Sequence, residues 1–343
     1  MQKIGARLNH FAPGAQIADS RLTFAAALAT YVIAAGLLAF AAPIQLKVLV
    51  VFLFAGPHNW VEMRYMLSRL PARWKKSRSF FATSFVGLAV LSLSFMAIMG
   101  ALTLPNANVD LLRVGFSAWG TALVGWLLAL LHRRGTLRTL PQRLLVSAGS
   151  TLAVSACWLG PEWFSISLVY LHPLVSLAIL DAELKRSKPQ LVQPYRMALL
   201  SAPLFVCFFW WHGNATLPTD AIANLVVDQS GATMMPLIPG HFVISTLVFF
   251  DLLHYGVWLL AIPLISAGWN GFQPPAVPLA SVSPLARRAV STLLAVSTIG
   301  VVALWCCFSA NYQLTYTVYF VLAIVHVLAE LPFLIWSNKC TLQ

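Results

Sequence analysis

The sequence predicts an all-α, polytopic bundle of about ten transmembrane helices with both termini in the cytoplasm, and three observations predict it. First, 59% of the 343 residues are hydrophobic and only 9% are charged, with a mean hydropathy of +0.79; about a quarter of an ordinary soluble chain is charged. Second, apolar runs of roughly 18 residues or more recur, each long enough to cross a bilayer as a helix. Third, the basic residues separate by loop. The ten-residue alternation of a lipid-embedded β-barrel is absent from the sequence.

Taken in order, the first 20 residues are polar and carry no signal-peptide core, so the first span, 22–42, is expected to direct insertion itself. Lys3, Arg7 and Arg21 precede it. The second span, 44–66, leads into Arg64, Arg69, Arg73, Lys75, Lys76 and Arg78. Spans 80–104 and 113–132 follow, and Arg133, Arg134, Arg138 and Arg143 join the latter to span 143–160. Span 164–184 is joined to span 196–212 by Lys185, Arg186, Lys188 and Arg196. Span 241–265 is followed by Arg287 and Arg288, which introduce span 286–309; span 314–336 leaves Lys339 in the tail.

On this alternation, all but Lys47 and Arg113 of the 22 basic residues fall on one side, and the positive-inside rule makes that side cytoplasmic. The net charge of +12 is thus read as a topology signal with some affinity for anionic lipid, and nucleic acid is not an expected partner. The whole chain reads as one transmembrane domain, multi-pass in the bacterial inner (cytoplasmic) membrane if the host is bacterial. The connection 213–240, with Asp220 and Asp228 but no Lys or Arg, is expected to cap the outer face as a short re-entrant or interfacial piece. It opens on a glycosylation sequon at Asn214. The stretch around Gln273–Pro278 reads as a stiff extended linker. Five cysteines without CxxC spacing, four of them in apolar spans, read as small buried hydrophobes and not as disulfide partners.

Against this apolar background, three spans each carry a histidine with a carboxylate one helical turn away: His58 with Glu62, His254 with Asp251, and His326 with Glu330. Residues three or four apart share a helix face, and counted from the outer ends of their spans the three histidines agree in depth within about 3 Å. His172, in the sixth span, lies somewhat nearer the outer face. Ionisable groups in lipid are costly and usually mark a site or a path. Facing helices that each supply a histidine and a carboxylate are how helical bundles build metal sites. Imidazole nitrogens and carboxylate oxygens suit Fe, Mn, Zn or similar ions. The expected metal-binding residues are therefore His58, Glu62, His172, Asp251, His254, His326 and Glu330. Glu62, Asp251, Glu330 and Tyr255 are the expected catalytic residues, and Asn59, Tyr65, Tyr255 and Tyr319 are expected to orient imidazoles.

Each residue also has a plainer reading. Glu62 could pair with Arg69 at the cytoplasmic edge, Asp251 could join two helices, and His172 could satisfy a carbonyl freed by Pro173. His241 reads as a helix-start residue. Asp181 and Glu183, beside Lys185 and Arg186, read as a solvated ion-pair cluster. Pro57, Pro173, Pro263 and Pro332 are expected to interrupt the four spans that carry the histidines, around a cavity or as ordinary kinks.

No HExxH, phosphate loop, dinucleotide fingerprint or nucleophile elbow occurs, nor the clustered histidine boxes of membrane desaturases. With single histidines on separate helices, the chain faintly resembles the bacterial carotene-cleaving dioxygenases, whose iron is held in that manner. It departs from them in the accompanying carboxylates and shares no stretch of motif.

The functional expectation is an integral-membrane metalloenzyme holding one or two transition-metal ions, with iron favoured and Zn, Mn or Cu as alternatives. It would use oxygen on a lipophilic substrate such as an isoprenoid, carotenoid or fatty chain, and its partners would be membrane lipid and an electron-donor protein. Two alternatives remain from the sequence: a proton-coupled transporter using the same carboxylates, and a b-type haem protein with paired axial histidines.

Overall fold

The computed structural model describes residues 13–71, 77–105, 107–213, 215–265 and 277–337. Among them every regular element is helical and no strand occurs. The elements are α1 (Pro13–Ala41), α2 (Pro43–Arg69), α3 (Arg78–Leu102), α4 (Val109–Arg134), α5 (Leu140–Leu159), α6 (Pro161–Ser187), α7 (Val192–Leu199), α8 (Ala202–His212), α9 (Ala221–Gln229), α10 (Gly240–Gly256), α11 (Ile262–Ile265), α12 (Pro284–Ala310) and α13 (Tyr312–Ser337).

Among the described residues, nine helical segments are long and apolar enough to cross a membrane, where the sequence led us to expect ten. The difference is α5. It forms as a 20-residue helix, closed at its start by a reciprocal Thr139–Gln142 capping box, but Gln142, Arg143 and its Ser and Gly residues dilute its hydropathy below that of the others. The seventh span departs from expectation differently. It is made of two helices, α7 and α8, because the chain turns at Leu200–Ser201.

Helix ends follow local chemistry. Pro43, Pro161 and Pro284 open α2, α6 and α12, where a missing N–H costs nothing. Asn108 and Ser283 cap α4 and α12 by accepting from the N–H of Leu111 and Ala286. Gly135 ends α4 with φ +65°, a left-handed turn that favours glycine. The expected interruptions at proline are largely not found: α2, α6 and α13 run on through Pro57, Pro173 and Pro332. Only the α10–α11 segment changes winding, through a π-helical turn at Val257–Ala261 that precedes Pro263.

The centre of the bundle is the segment Gly240–Ile265. In its most apolar stretch 61% is buried, against 11% for Pro284–Ala310, and α10 touches α1, α2, α6 and α8. Gly256 permits a close approach of α10 to Tyr31 on α1. A Cβ there would overlap the Tyr31 ring, whose hydroxyl donates to the Leu252 carbonyl. Outward faces are apolar, with Leu93, Leu152, Leu264 and Ile299 all more than two-thirds exposed, the reverse of a soluble protein's economy.

The two ends of the bundle differ. At one, the C-terminal ends of α2, α4, α6 and α13 meet the start of α3. Arg69 pairs with Glu183 at 2.9 Å, and Arg134 donates to the Trp336 carbonyl while lying 3.9 Å above its ring. Glu183, expected in a solvated cluster, is buried: it accepts from Tyr65 at 2.7 Å and from Arg69 and Arg186. Tyr65, expected from sequence to orient an imidazole, and Arg69, the partner of Glu62 in its plainer reading, are drawn there because a buried carboxylate needs charged and hydroxyl donors. At the other end, α9 folds over the bundle with Ala223 and Val226 buried beside Ile244. Asn214 of the sequon and residues 273–276 of the linker lie outside the described residues. No disulfide occurs among the described cysteines, of which Cys157 is buried and Cys207, Cys306 and Cys307 are exposed.

Candidate metal centre

Four helices, α2, α6, α10 and α13, each carry one histidine about three to four turns from their first residue. The fold brings all four together. Ring centroids lie 5.1 Å apart for His58 and His254, 5.4 Å for His58 and His326, 4.5 Å for His172 and His254, and 4.8 Å for His172 and His326. His172, read from sequence as lying at a different depth, is a full member. Its Nε2 stands 3.1 Å from Nε2 of His326.

One of the rings is oriented by a hydrogen bond: Nδ1 of His58 lies 2.8 Å from the Phe54 carbonyl, which places the proton on Nδ1 and leaves a lone pair on Nε2. Nδ1 of His172 lies 2.9 Å from Oε2 of Glu330, one of the most deeply buried polar side chains of the protein, but the two are not aligned as a hydrogen bond.

Two carboxylates enter the same volume. Glu62 is buried, and one donor atom from each of His58, Glu62, His254 and His326 lies within 4.8 Å of all the others. The same holds for His172, His254 and Glu330. Among the described residues no lysine or arginine ion pair reaches Glu62 or Glu330. Glu62 Oε2, both carboxylate oxygens of Glu330, Nδ1 of His172 and of His326, and both ring nitrogens of His254 have no hydrogen-bonding protein partner. Leaving one such group unmet costs about 1–3 kcal/mol, and more when it is charged. A cation at that point is one partner that would meet these lone pairs.

Asp251 is placed elsewhere. It forms an ion pair with Lys47 at 2.5 Å, across α2 and α10, and takes no part in either group of converging donors. Its expected role as a metal ligand beside His254 is therefore corrected. The i, i+3 spacing puts the two side chains on one side of α10, but the nearby ammonium captures the carboxylate. Lys47 is the charged partner near the centre that sequence reasoning missed. Its signal was its position in an apolar run, apart from the basic clusters, since an ionisable group so placed needs a partner.

Of the polar residues expected to orient imidazoles, Tyr255 packs on His58 with ring centroids 4.7 Å apart. Tyr319 and Asn59 line a cavity beside Glu62 and His326. Of the remaining described histidines, His241 is buried against Ser245 and Phe40 and His212 packs on Phe208, both outside the centre.

Two cavities reach the histidines. The first, about 550 Å³, lies between α2, α3, α12 and α13. It is walled by side chains such as Met63, Phe81, Leu88 and Trp336, ends at Glu62 and His326, and has the exposed Phe85, Leu322 and Val325 on its rim. Gly56 shapes its floor, since a Cβ there would come within 3.1 Å of Val301 on α12. The second, about 450 Å³, runs from the α9 end of the bundle to the four histidines, past Lys47 and Asp251.

No protein-family model matches the chain, and neither a curated protein nor a solved structure shows significant similarity to it.

Proposed function

We propose that this is a multi-pass integral membrane metalloenzyme: an iron- and oxygen-dependent oxygenase or hydroxylase acting on a lipophilic substrate. The observation that carries the reading is the convergence of four imidazoles, one of them with Nδ1 already hydrogen-bonded, on a volume that also holds Glu62 and Glu330. Two metal-bound nitrogens, each at about 2.1 Å from a shared ion, stand roughly 3.0–3.4 Å apart for bond angles between 90° and tetrahedral. The His172–His326 separation of 3.1 Å falls in that interval. One divalent cation would also offset the charge of the two carboxylates, which neutral imidazoles leave uncompensated in an apolar surround.

His58, His172, His254 and His326 would hold the ion, with Glu62 beside it and Glu330 positioning His172. Mixed nitrogen and oxygen donors with open positions suit non-haem iron better than a closed structural zinc site. A redox-active ion at that point supplies activation of dioxygen. The chain's own contribution is to bind the substrate in the apolar first cavity, exclude bulk water there and hold a carboxyl group, Glu62, at the inner end where a proton can be taken or given. The exposed apolar rim of that cavity suits a substrate arriving sideways from lipid. The spacing gives no support to haem, since rings 4.5–5.4 Å apart leave no gap for a porphyrin between them.

The basic residues at one end of the bundle (Arg69, Arg134 and Arg186 among them) favour that end as cytoplasmic.

The test is metal content by mass spectrometry on protein purified in mild detergent without chelators, beside a His254→Ala/His326→Ala variant. Near-stoichiometric iron lost in a folded variant supports the reading and makes an oxygen-consumption screen with lipids the next step. Metal-free wild-type protein refutes it. One observation favours a second reading, a proton-coupled carrier: two cavities approach His326 from different sides. Substrate-driven acidification of vesicles by metal-free protein would establish that reading instead.

A further inference from the structure

The second cavity carries more polar groups than contact between helices requires. Its mouth, at the end of the bundle covered by α9, is marked by the exposed Asp228 and Thr317 and by Glu162, which pairs with the exposed Arg113 at 3.5 Å. Further in, Lys47 and Asp251 form its wall, their side chains 11% and 14% exposed and so not sealed from it. At its inner end are the four histidines.

We propose that this cavity is a hydrated passage that delivers water and protons from the α9 end of the bundle to the histidine cluster, separate from the apolar cavity open to lipid. Volume permits it. At about 30 Å³ per molecule, 450 Å³ holds on the order of 15 waters. An unmet polar atom calls for it: Gln229 borders the cavity, and its Oε1 lacks a protein partner. Ordered water satisfies such groups almost as well as a direct hydrogen bond. A charged pair is also far cheaper to keep beside water than in a dry interior.

The first cavity carries no ion pair and less polar wall. Apart from Asn59, Ser84, Ser297 and Tyr319 its lining is apolar until Glu62 and His326 are reached, and apolar cavities stay dry. Tyr319, Ala323 and His326 border both cavities, so the two routes meet only at the centre. Lipid and water thereby reach the same point without sharing a path. The inference rests on the proposed oxygenase only for the use made of the water.

The experiment is cysteine accessibility in proteoliposomes, using the full-length chain with its five native cysteines replaced by alanine. Val169→Cys and Phe320→Cys report the passage; Phe85→Cys and Leu322→Cys report the apolar cavity. The probe is a membrane-impermeant trimethylammonium methanethiosulfonate, with modification followed by mass spectrometry. A variant that does not elute as wild type is replaced by Ile166→Cys or Val327→Cys on the same wall. Modification of the passage cysteines at least tenfold faster than of the others is expected. Equally slow modification at all positions overturns the passage, and equally fast modification overturns its separation from the lipid route. Labelling is read without metal or turnover. Metal-free protein that labels as expected therefore refutes the oxygenase and keeps the passage, while iron-loaded protein that does not label does the reverse.

Discussion

Nε2 of His172 and Nε2 of His326 stand 3.1 Å apart although 154 residues separate them in the chain. Two neutral imidazoles can share one proton at that distance. Glu330 Oε2 lies 2.9 Å from Nδ1 of His172 without being aligned with it as a hydrogen bond. On the proposed reading a cation takes the place of the shared proton, and Glu330 then holds the proton on Nδ1 of His172.

Glu330 is accordingly expected to act through His172. Glu330→Gln should weaken metal retention by roughly 10- to 100-fold, in the range of other residues that orient a ligand. His172→Ala should cost at least as much, and the double variant little more than His172→Ala alone. Competition with a chelator of known affinity measures all three, and additive losses would separate the two residues.

Asp251 provides the contrast. Asp251→Asn should leave metal content within error of wild type, because its carboxylate is turned to Lys47. Loss of metal in that variant, measured by mass spectrometry on folded protein, would restore Asp251 to the ligand set.

The Lys47–Asp251 pair itself should obey the asymmetry of buried charges. Lys47→Met leaves a carboxylate met only by water of the second cavity and should destabilise by about 1–3 kcal/mol, whereas Lys47→Met/Asp251→Leu should recover most of that loss. Thermal unfolding in one detergent, compared across the three proteins, reads the difference. A double variant less stable than the single one contradicts the prediction.

Gly256 is expected to matter for packing alone. A methyl group there meets the Tyr31 ring, so Gly256→Ala should cost about 1–3 kcal/mol through overpacking. Gly256→Ala/Tyr31→Ala should regain part of it, without change in metal stoichiometry. Paired melting and metal measurements separate this from damage to the centre.

Much was legible before any coordinate. Apolar run length alone determined the helical, membrane-compatible architecture, because a helix is the only open-ended element that satisfies its own backbone away from water. Single-helix geometry was equally plain: His58 with Glu62 and His326 with Glu330 share a face by their i, i+4 spacing, and both pairs do meet in the centre. What the chain could not state was which faces meet. Depth estimated from span ends put His172, though an expected ligand, nearer the outer face, and the way its helix packs brings it into contact with His254 and His326. Spacing put Asp251 beside His254, and a lysine more than two hundred residues away in sequence drew it off. Tyr65 and Arg69 were read within their own helix and are held by Glu183 of another. Periodicity is a property of one helix and is written in local sequence. Partner choice among buried polar groups depends on rotation, tilt and contact between helices, so only the tertiary structure decided it.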